Sequence, residues 1–581
     1  MNRASARVIV GAAGIVAGAA SVNAAEVLVS QNIATSTTWT SGNTYNLTKQ
    51  IYVLPGATLT IEPGTIVAST PSANGGGSLA VTRGARIFVN GTFANPVIMT
   101  SKNDNFTTWR EAANEWGNLT IMGRAFISNS FVAGNTATCN ANNVSPMEGL
   151  TPDFVGDPNT LYGGGDDDDD SGCISFLSLR YGGRVLGLAN ELNGLSLGGI
   201  GRGTDIQYVE VMNNVDDGIE IWGGTVNLKY ISIWNVGDDS FDIDQGWRGK
   251  AQFGLIVQGY SLDAAQGSGV GDNNFETDGA ENSDAQPVTT ANIYNFTVIG
   301  QPVPGAGDHG TAWRDNARVQ YHNCIFMDLG DRLVSFDNVD GDGSQGYGFN
   351  GTLSWPATWT TNYNVYSTVN ACPNPAMFYQ AQTSGKLASI TDSVFFRNLS
   401  PSAYTEAQAR GVVPGTPEYI ASNNNVLIPG FEEVNQPIVS ITRAAPVTKG
   451  GTTQLRVIGL DPRAKNQATT SVAAAPNDGF FTPAMYRGGF SSTSNWVCGW
   501  TAAAAYGFIA SPPGGCVTPP GTPCETPKTV VGDLNGDGIV DGADVGLLLG
   551  SWGACAGCPA DLDGNGTVDG SDLGLLLGNW G

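Results

Sequence analysis

The 581-residue sequence has a formal net charge of −25 and 79 glycines, while only 14% of its residues are charged. That charge disfavours nucleic acid and anionic lipid as partners, and the glycine content suits a turn-rich all-β chain. The nine cysteines, Cys139, Cys173, Cys324, Cys372, Cys498, Cys516, Cys524, Cys555 and Cys558, permit disulfides and leave one thiol over.

In chain order, Arg3 and Arg7 precede a small-apolar run with a cleavage-like site near Ala24 or Ala25. Residues 1–25 therefore read as a secretory signal peptide, which predicts a secreted or cell-surface protein with no membrane span. From about residue 40, short period-two segments such as Ala57-Thr58-Leu59-Thr60-Ile61 alternate with Pro-Gly and Asn-Gly turns. Residues 129–172 break that rhythm and end in five aspartates, Asp166 to Asp170, expected to form a solvated loop. Strands resume at Ile174 and continue to about Phe396.

Within them a pattern is written repeatedly. Asp216 and Asp217 recur 22 residues later as Asp238 and Asp239, Glu220 as Asp242 and Ile221 as Ile243. Asp272 to Asp278, Asp308 to Arg314 and Asp331 to Asp337 fit the same frame. Strands with no helix to cross over on must stack on their own kind, which predicts an all-β, right-handed parallel β-helix over residues 26–400. Residues 401–510 are less regular and are expected to cap its open end.

Alternation places Ile219 and Ile221 inward, so that Glu220, Trp222, Asp242, Asp244, Glu276 and Asp278 form an outward substrate-binding ladder, with Trp222 free to stack on a sugar. At the turn, Asp217, Asp239, Asn273, His309 and Arg332 share one row. In an inverting glycosidase one of Asp217 and Asp239 would be the general acid and the other the base. The plainer alternative is that Asp and Asn recur there because they form turns.

The blocks GATLTIEPGT (56–65), ANELNGLSLGGIGRGTDIQYVEV (189–211), DDGIEIWGGTVNLKYISIWNVGDDSFDIDQGWRGKAQFGLIVQG (216–259) and DGFFTPAMYRGGFSSTSNWVCGWT (478–501) resemble a widespread family of secreted bacterial β-helix proteins with a pectate-lyase-like fold. The resemblance spans about residues 26–510 and implies the fold rather than an activity. Asp238-Asp239, His309-Gly310 and Arg314 also resemble the catalytic set of polygalacturonases, with Asp308 in place of a glycine. The catalytic candidates are thus Asp217, Asp239, His309 and Arg314, the chemistry being O-glycosyl hydrolysis. A calcium-dependent polysaccharide lyase and a non-catalytic adhesion protein with a calcium-binding acidic face are the alternatives.

Residues 511–531 form a proline-rich linker, with Cys516–Cys524 and Cys555–Cys558 as natural local disulfides. Beyond it, DLNGDGIVDGAD (533–544) recurs 28 residues later as DLDGNGTVDGSD. The spacing offers oxygen ligands for Ca2+ from Asp533, Asn535, Asp537, the Ile539 carbonyl, Asp541 and Asp544. The second set is Asp561, Asp563, Asn565, the Thr567 carbonyl, Asp569 and Asp572. With no entering helix and Asp rather than Glu at position 12, residues 532–581 resemble a dockerin type I pair. That resemblance implies a cohesin-like partner met through the helix after each loop.

Overall fold

The computed structural model describes residues 25–580 apart from 73–75, 135–139, 188–189, 260–270, 281–284, 305–308, 316, 337–388, 399–422, 450–451, 511–515, 517–523, 525–530, 535–539 and 556–557. The expected signal peptide, Cys139, Cys372, Asp308, Asn535, Asp537 and Ile539 lie outside the described residues.

The chain winds into stacked coils. One face is a sheet of nine parallel strands: Gln50–Val53, Ser78–Val81, Leu119–Met122, Leu195–Gly198, Ile219–Trp222, Phe241–Asp244, Phe275–Asp278, Thr311–Arg314 and Val334–Phe336. The return faces are built from Gly172–Arg180, Asp205–Met212, Asn227–Trp234, Lys250–Val257 and Asn292–Ile299, each pairing in parallel with the next coil. Leu195, Ile219, Phe241 and Phe275 from the first face meet Ile206, Val209, Ile231 and Phe296 from the returns in one continuous core. Burial of each such side chain contributes about 1.5–3 kcal/mol. The described strands from Ala25–Val29, which pairs in parallel with Asn43–Leu47, to Val334–Phe336 thus form a parallel β-helix, and coil strands continue beyond the expected end at 400 to Val426–Ile428, which pairs with Val394–Phe396.

The return strands are bent. The pairing Ser175↔Gln207 and Leu177↔Val209 skips Phe176 and Tyr208, which sit at φ 50° and 55°. Tyr230 and Phe253 do the same one and two coils on, at φ 62° and 61°. At the opposite corner Gly224, φ 80°, lies against Ile200, where an added Cβ would come within 2.5 Å of the carbonyl oxygen.

Residues 478–509 do not cap an open end, as expected from their irregularity, but run along the flank. Trp500 packs edge-on against Phe176, Trp496 against Tyr230, and Tyr486 lies over Phe253. Asp478 is ion-paired with Lys250 at 2.5 Å. The physical reason is the bent corner, which turns a row of rings outward that only a second aromatic segment can bury.

The disulfides also depart from the local guess. Cys516 pairs with Cys498, and Cys524 reaches back to Cys173 in the β-helix, whereas Cys555–Cys558 forms as expected. Cys324 is buried and free. No helix among the described residues is long and apolar enough to cross a membrane.

Candidate functional site: a covered acidic row

The predicted frame is the observed register: Ile219 pairs with Phe241, Glu220 with Asp242, Ile221 with Ile243 and Trp222 with Asp244. Asp242 continues to Glu276, and Asp278 pairs with Arg314. At the turn before these strands, polar side chains bridge successive coils. The Asp217 amide donates to Asn193 Oδ1 (3.2 Å), that of Asp239 to Asp217 Oδ1 (2.8 Å), and that of Asn273 to Asp239 Oδ1. His309 Nδ1 ends the row on Asn273 Oδ1 at 2.8 Å. Side chains at these positions thus satisfy backbone groups that a tight turn leaves unpaired.

All four catalytic candidates lie in this region, but Arg314 is ion-paired with Glu276 and lies 3.8 Å from Asp278. Around them the carboxylates form overlapping groups whose oxygens approach within 4.8 Å: Glu148, Glu191 and Asp216; Asp216, Asp217 and Asp238; Asp217, Glu220 and Asp242; Asp238, Asp239 and Asp272. Burial, reinforced by the charges of their neighbours, pushes Asp216, Asp217 and Glu220 well above the carboxylate range. Burial likewise raises Asp238 to about 8 and Glu148 to about 7. Asp239 and Asp242 rise only to about 6, because Arg314 opposes their burial.

Glu148 and Glu191 were invisible to the periodicity because they come from outside the repeat. Their segment also overturns two expectations. Trp222 is 6% exposed: Met147, Leu150, Tyr162 and Leu192 cover it, so it offers no face to a sugar. Glu220, also expected to be presented outward, is 7% exposed and accepts from Asn193 Nδ2.

The aspartate run that ends this cover is not a solvated loop. Asp167 is fully buried against Arg248 in a two-pronged pair at 2.5 and 2.7 Å. Asp168 pairs with Arg202 and Asp170 with Arg86. Asp167, Asp168 and Asp170 meet arginines from three coils, which offsets part of the self-repulsion expected from the run alone.

Calcium fits the row by donor chemistry. The ligand atoms are all carboxylate oxygens, and Asp242 Oδ1 is a buried oxygen with no hydrogen-bond donor among the described residues.

The C-terminal module carries a second such arrangement. Oxygens of Asp561, Asp563 and Asp572 converge within 4.8 Å, and Asp561 Oδ1 is buried with no donor among the described residues. Asp569 caps the helix Gly570–Leu577, and Asp572 accepts from the amides of Leu562, Asp563 and Asp569, which hold its carboxyl below the usual range. Asp541 caps the helix Gly542–Gly550 in the same way, and Asp544 accepts from the amides of Leu534 and Asp541. Leu548 and Leu576 are buried between the helices, whereas Leu547, Leu549, Trp552, Leu575, Leu577 and Trp580 are exposed.

A parallel β-helix with an acidic row on one face is the class that fold and site define together. The family model described as pectate-lyase like beta helix domain matches residues 31–365, more than half of the chain, and the protein belongs to that family. No curated protein and no solved structure matches the chain.

Proposed function

We propose that this is a secreted polysaccharide-binding protein whose acidic row acts through calcium. Its C-terminal module would fold around calcium and dock to a cohesin-like partner. The observation that carries the reading is the unbroken chain of carboxylates from Glu148 to Asp272, in which Arg314 is already paired within the row. Divalent cations held where the row is partly exposed, at Glu148, Asp238, Asp242 and Asp272, would neutralise it and offer open positions to the carboxylates or hydroxyls of a polysaccharide. The exposed leucines and tryptophans of the two C-terminal helices supply an apolar strip for the partner.

Binding is favoured over cleavage because Asp217 and Asp239 each commit Oδ1 to a backbone amide. A second reading, O-glycosyl hydrolysis, is supported by the split between Asp238, raised to about 8, and Asp239, raised to about 6. At neutral pH one would hold a proton and the other release it.

The test is retention and product release on acidic and neutral polysaccharides, with and without calcium, for wild type and Asp239→Asn. Calcium-dependent retention without turnover supports binding. Reducing ends that vanish in Asp239→Asn support the hydrolase, and unsaturated products would mark a lyase. Failure to retain or cleave any polysaccharide in either condition rejects the proposal.

A further inference from the structure

Residues 144–162 lie across the nine-stranded face as a unit with its own internal structure. Ser145–Pro146 and Leu161–Tyr162 pair antiparallel, and Asp157 caps the single turn Pro158–Thr160 between them. The unit is tied down at both ends: Asn143 Nδ2 donates to the Ile127 carbonyl (2.8 Å), and the Gly163 amide donates to the Gly123 carbonyl (3.0 Å). Between those anchors, no backbone-to-backbone hydrogen bond joins it to the coils among the described residues. Coil side chains hold it instead. Gln50 Nε2 and Tyr52 Oη donate to the Thr151 carbonyl, Asn190 Oδ1 accepts from the Gly149 amide, and Gln245 Oε1 accepts from Tyr162 Oη.

The seat of this unit is Gly198. A Cβ there would meet Met147 Cε at 2.4 Å and Tyr162 Cγ and Cβ at 2.6 and 2.9 Å, so the unit closes only because position 198 carries no side chain. The backbone at Gly198 is ordinary strand, paired with Met122 and Trp222, and has no need of glycine. What the unit covers is partly polar. Thr120 and Ser196 alternate with the core leucines of their strands, so they face outward, yet each is only 1% exposed. Ser196 Oγ has no hydrogen-bond partner among the described residues. Closure also brings Glu148 against Glu191 and Asp216, with oxygens within 4.8 Å. A covered hydroxyl without a partner and three like-charged groups both weaken the seat.

We propose that residues 144–162 are a lid, shut in this structure, whose opening admits a polysaccharide to the rings of Trp222 and Tyr52 and so lengthens the acidic row. Met147, Leu150 and Tyr162 now occupy the ground on Trp222 that a sugar ring would take, the Tyr162 ring lying 6.1 Å from it. The lid rests on the binding function proposed above, because it regulates access to that same site.

The experiment uses the full chain in calcium buffer, with polygalacturonate as the acidic probe and galactan as the neutral one. Gly198→Leu wedges the lid from below and removes no lid residue; Met147→Ser loosens it from the lid side and decides if Gly198→Leu does not fold, as judged by thermal unfolding. Lid opening is read without a ligand, as cleavage after Glu148 by a glutamate-specific protease. Both variants are expected to be cut there about tenfold faster than wild type and to bind a probe about tenfold or more tightly, since a shut lid lowers apparent affinity by the fraction of open molecules. Adding Trp222→Ala to either variant should abolish the gain. Binding by the variants alone would mean that the lid stays shut in wild type, and supports the proposal. Retention by wild type with no gain in the variants, a gain that survives Trp222→Ala, or unchanged cleavage after Glu148 overturns the lid and leaves the binding function standing. Failure of every protein to bind either probe overturns both.

Discussion

Phe176, Tyr208, Tyr230 and Phe253 occupy left-handed backbone that costs an aromatic residue roughly 1–2 kcal/mol each. Stacking offsets this, with ring centroids 4.3, 4.3 and 5.0 Å apart along the row and Trp500 and Trp496 against its edges. Tyr208 is fully buried in the middle, so Tyr208→Ala is expected to cost about 3–5 kcal/mol, read as a lowered denaturation midpoint. A loss under about 1 kcal/mol would mean that the flank segment does not hold the row in solution. In the sequence Tyr230-Ile231-Ser232-Ile233 reads as a straight strand, because alternation records which residues are apolar and carries no sign of a change in φ.

The element that most changes the reading of the site is the cover between residues 123 and 172. It is pinned from below by Asp167 on Arg248 and from above by Met147, Leu150 and Tyr162 on Trp222. Asp167→Ala would leave Arg248 buried without its partner, a loss of about 3–5 kcal/mol. Limited proteolysis should then cut within the cover while the coils persist. Asp168→Ala removes an exposed pair with Arg202 and should cost under about 1 kcal/mol. If both variants resist proteolysis like wild type, the buried pair does not secure the cover. Five consecutive aspartates gave no warning of this, since their partners, Arg86, Arg202 and Arg248, are 34 to 84 residues away and on different coils.

At the scale of the whole molecule the acidic row governs how stability follows pH. Its carboxyls have folded-state values raised from 3.8 or 4.5 to about 6 for Asp239 and Asp242, about 7 for Glu148 and about 8 for Asp238. Between those limits the folded state binds more protons than the unfolded state, so stability falls as pH rises. In EDTA the contribution is complete below about pH 4 and lost progressively towards pH 8. Thermal unfolding should therefore show a higher midpoint at pH 5 than at pH 8 without divalent cations, and calcium should raise the pH 8 value most. A midpoint that rises from pH 5 to pH 8 in EDTA would contradict this account of the row.

The order of the row was legible because alternation along a strand is local. Ile219 and Ile221 must face the core, and so Glu220, Asp242 and Glu276 must follow one another on the other face. The spacing of Asp561, Asp563 and Asp572 was legible for the same reason, since a short loop brings its own residues together. What surrounds the row was decided only in three dimensions. Met147 and Tyr162 closed over Trp222, Glu148 and Glu191 joined the carboxylates, Cys173 met Cys524 across 351 residues, and residues 478–509 lay along the bent flank. Each of these contacts joins segments that lie outside one another's coil, and periodicity specifies only the repeating frame on which such segments land.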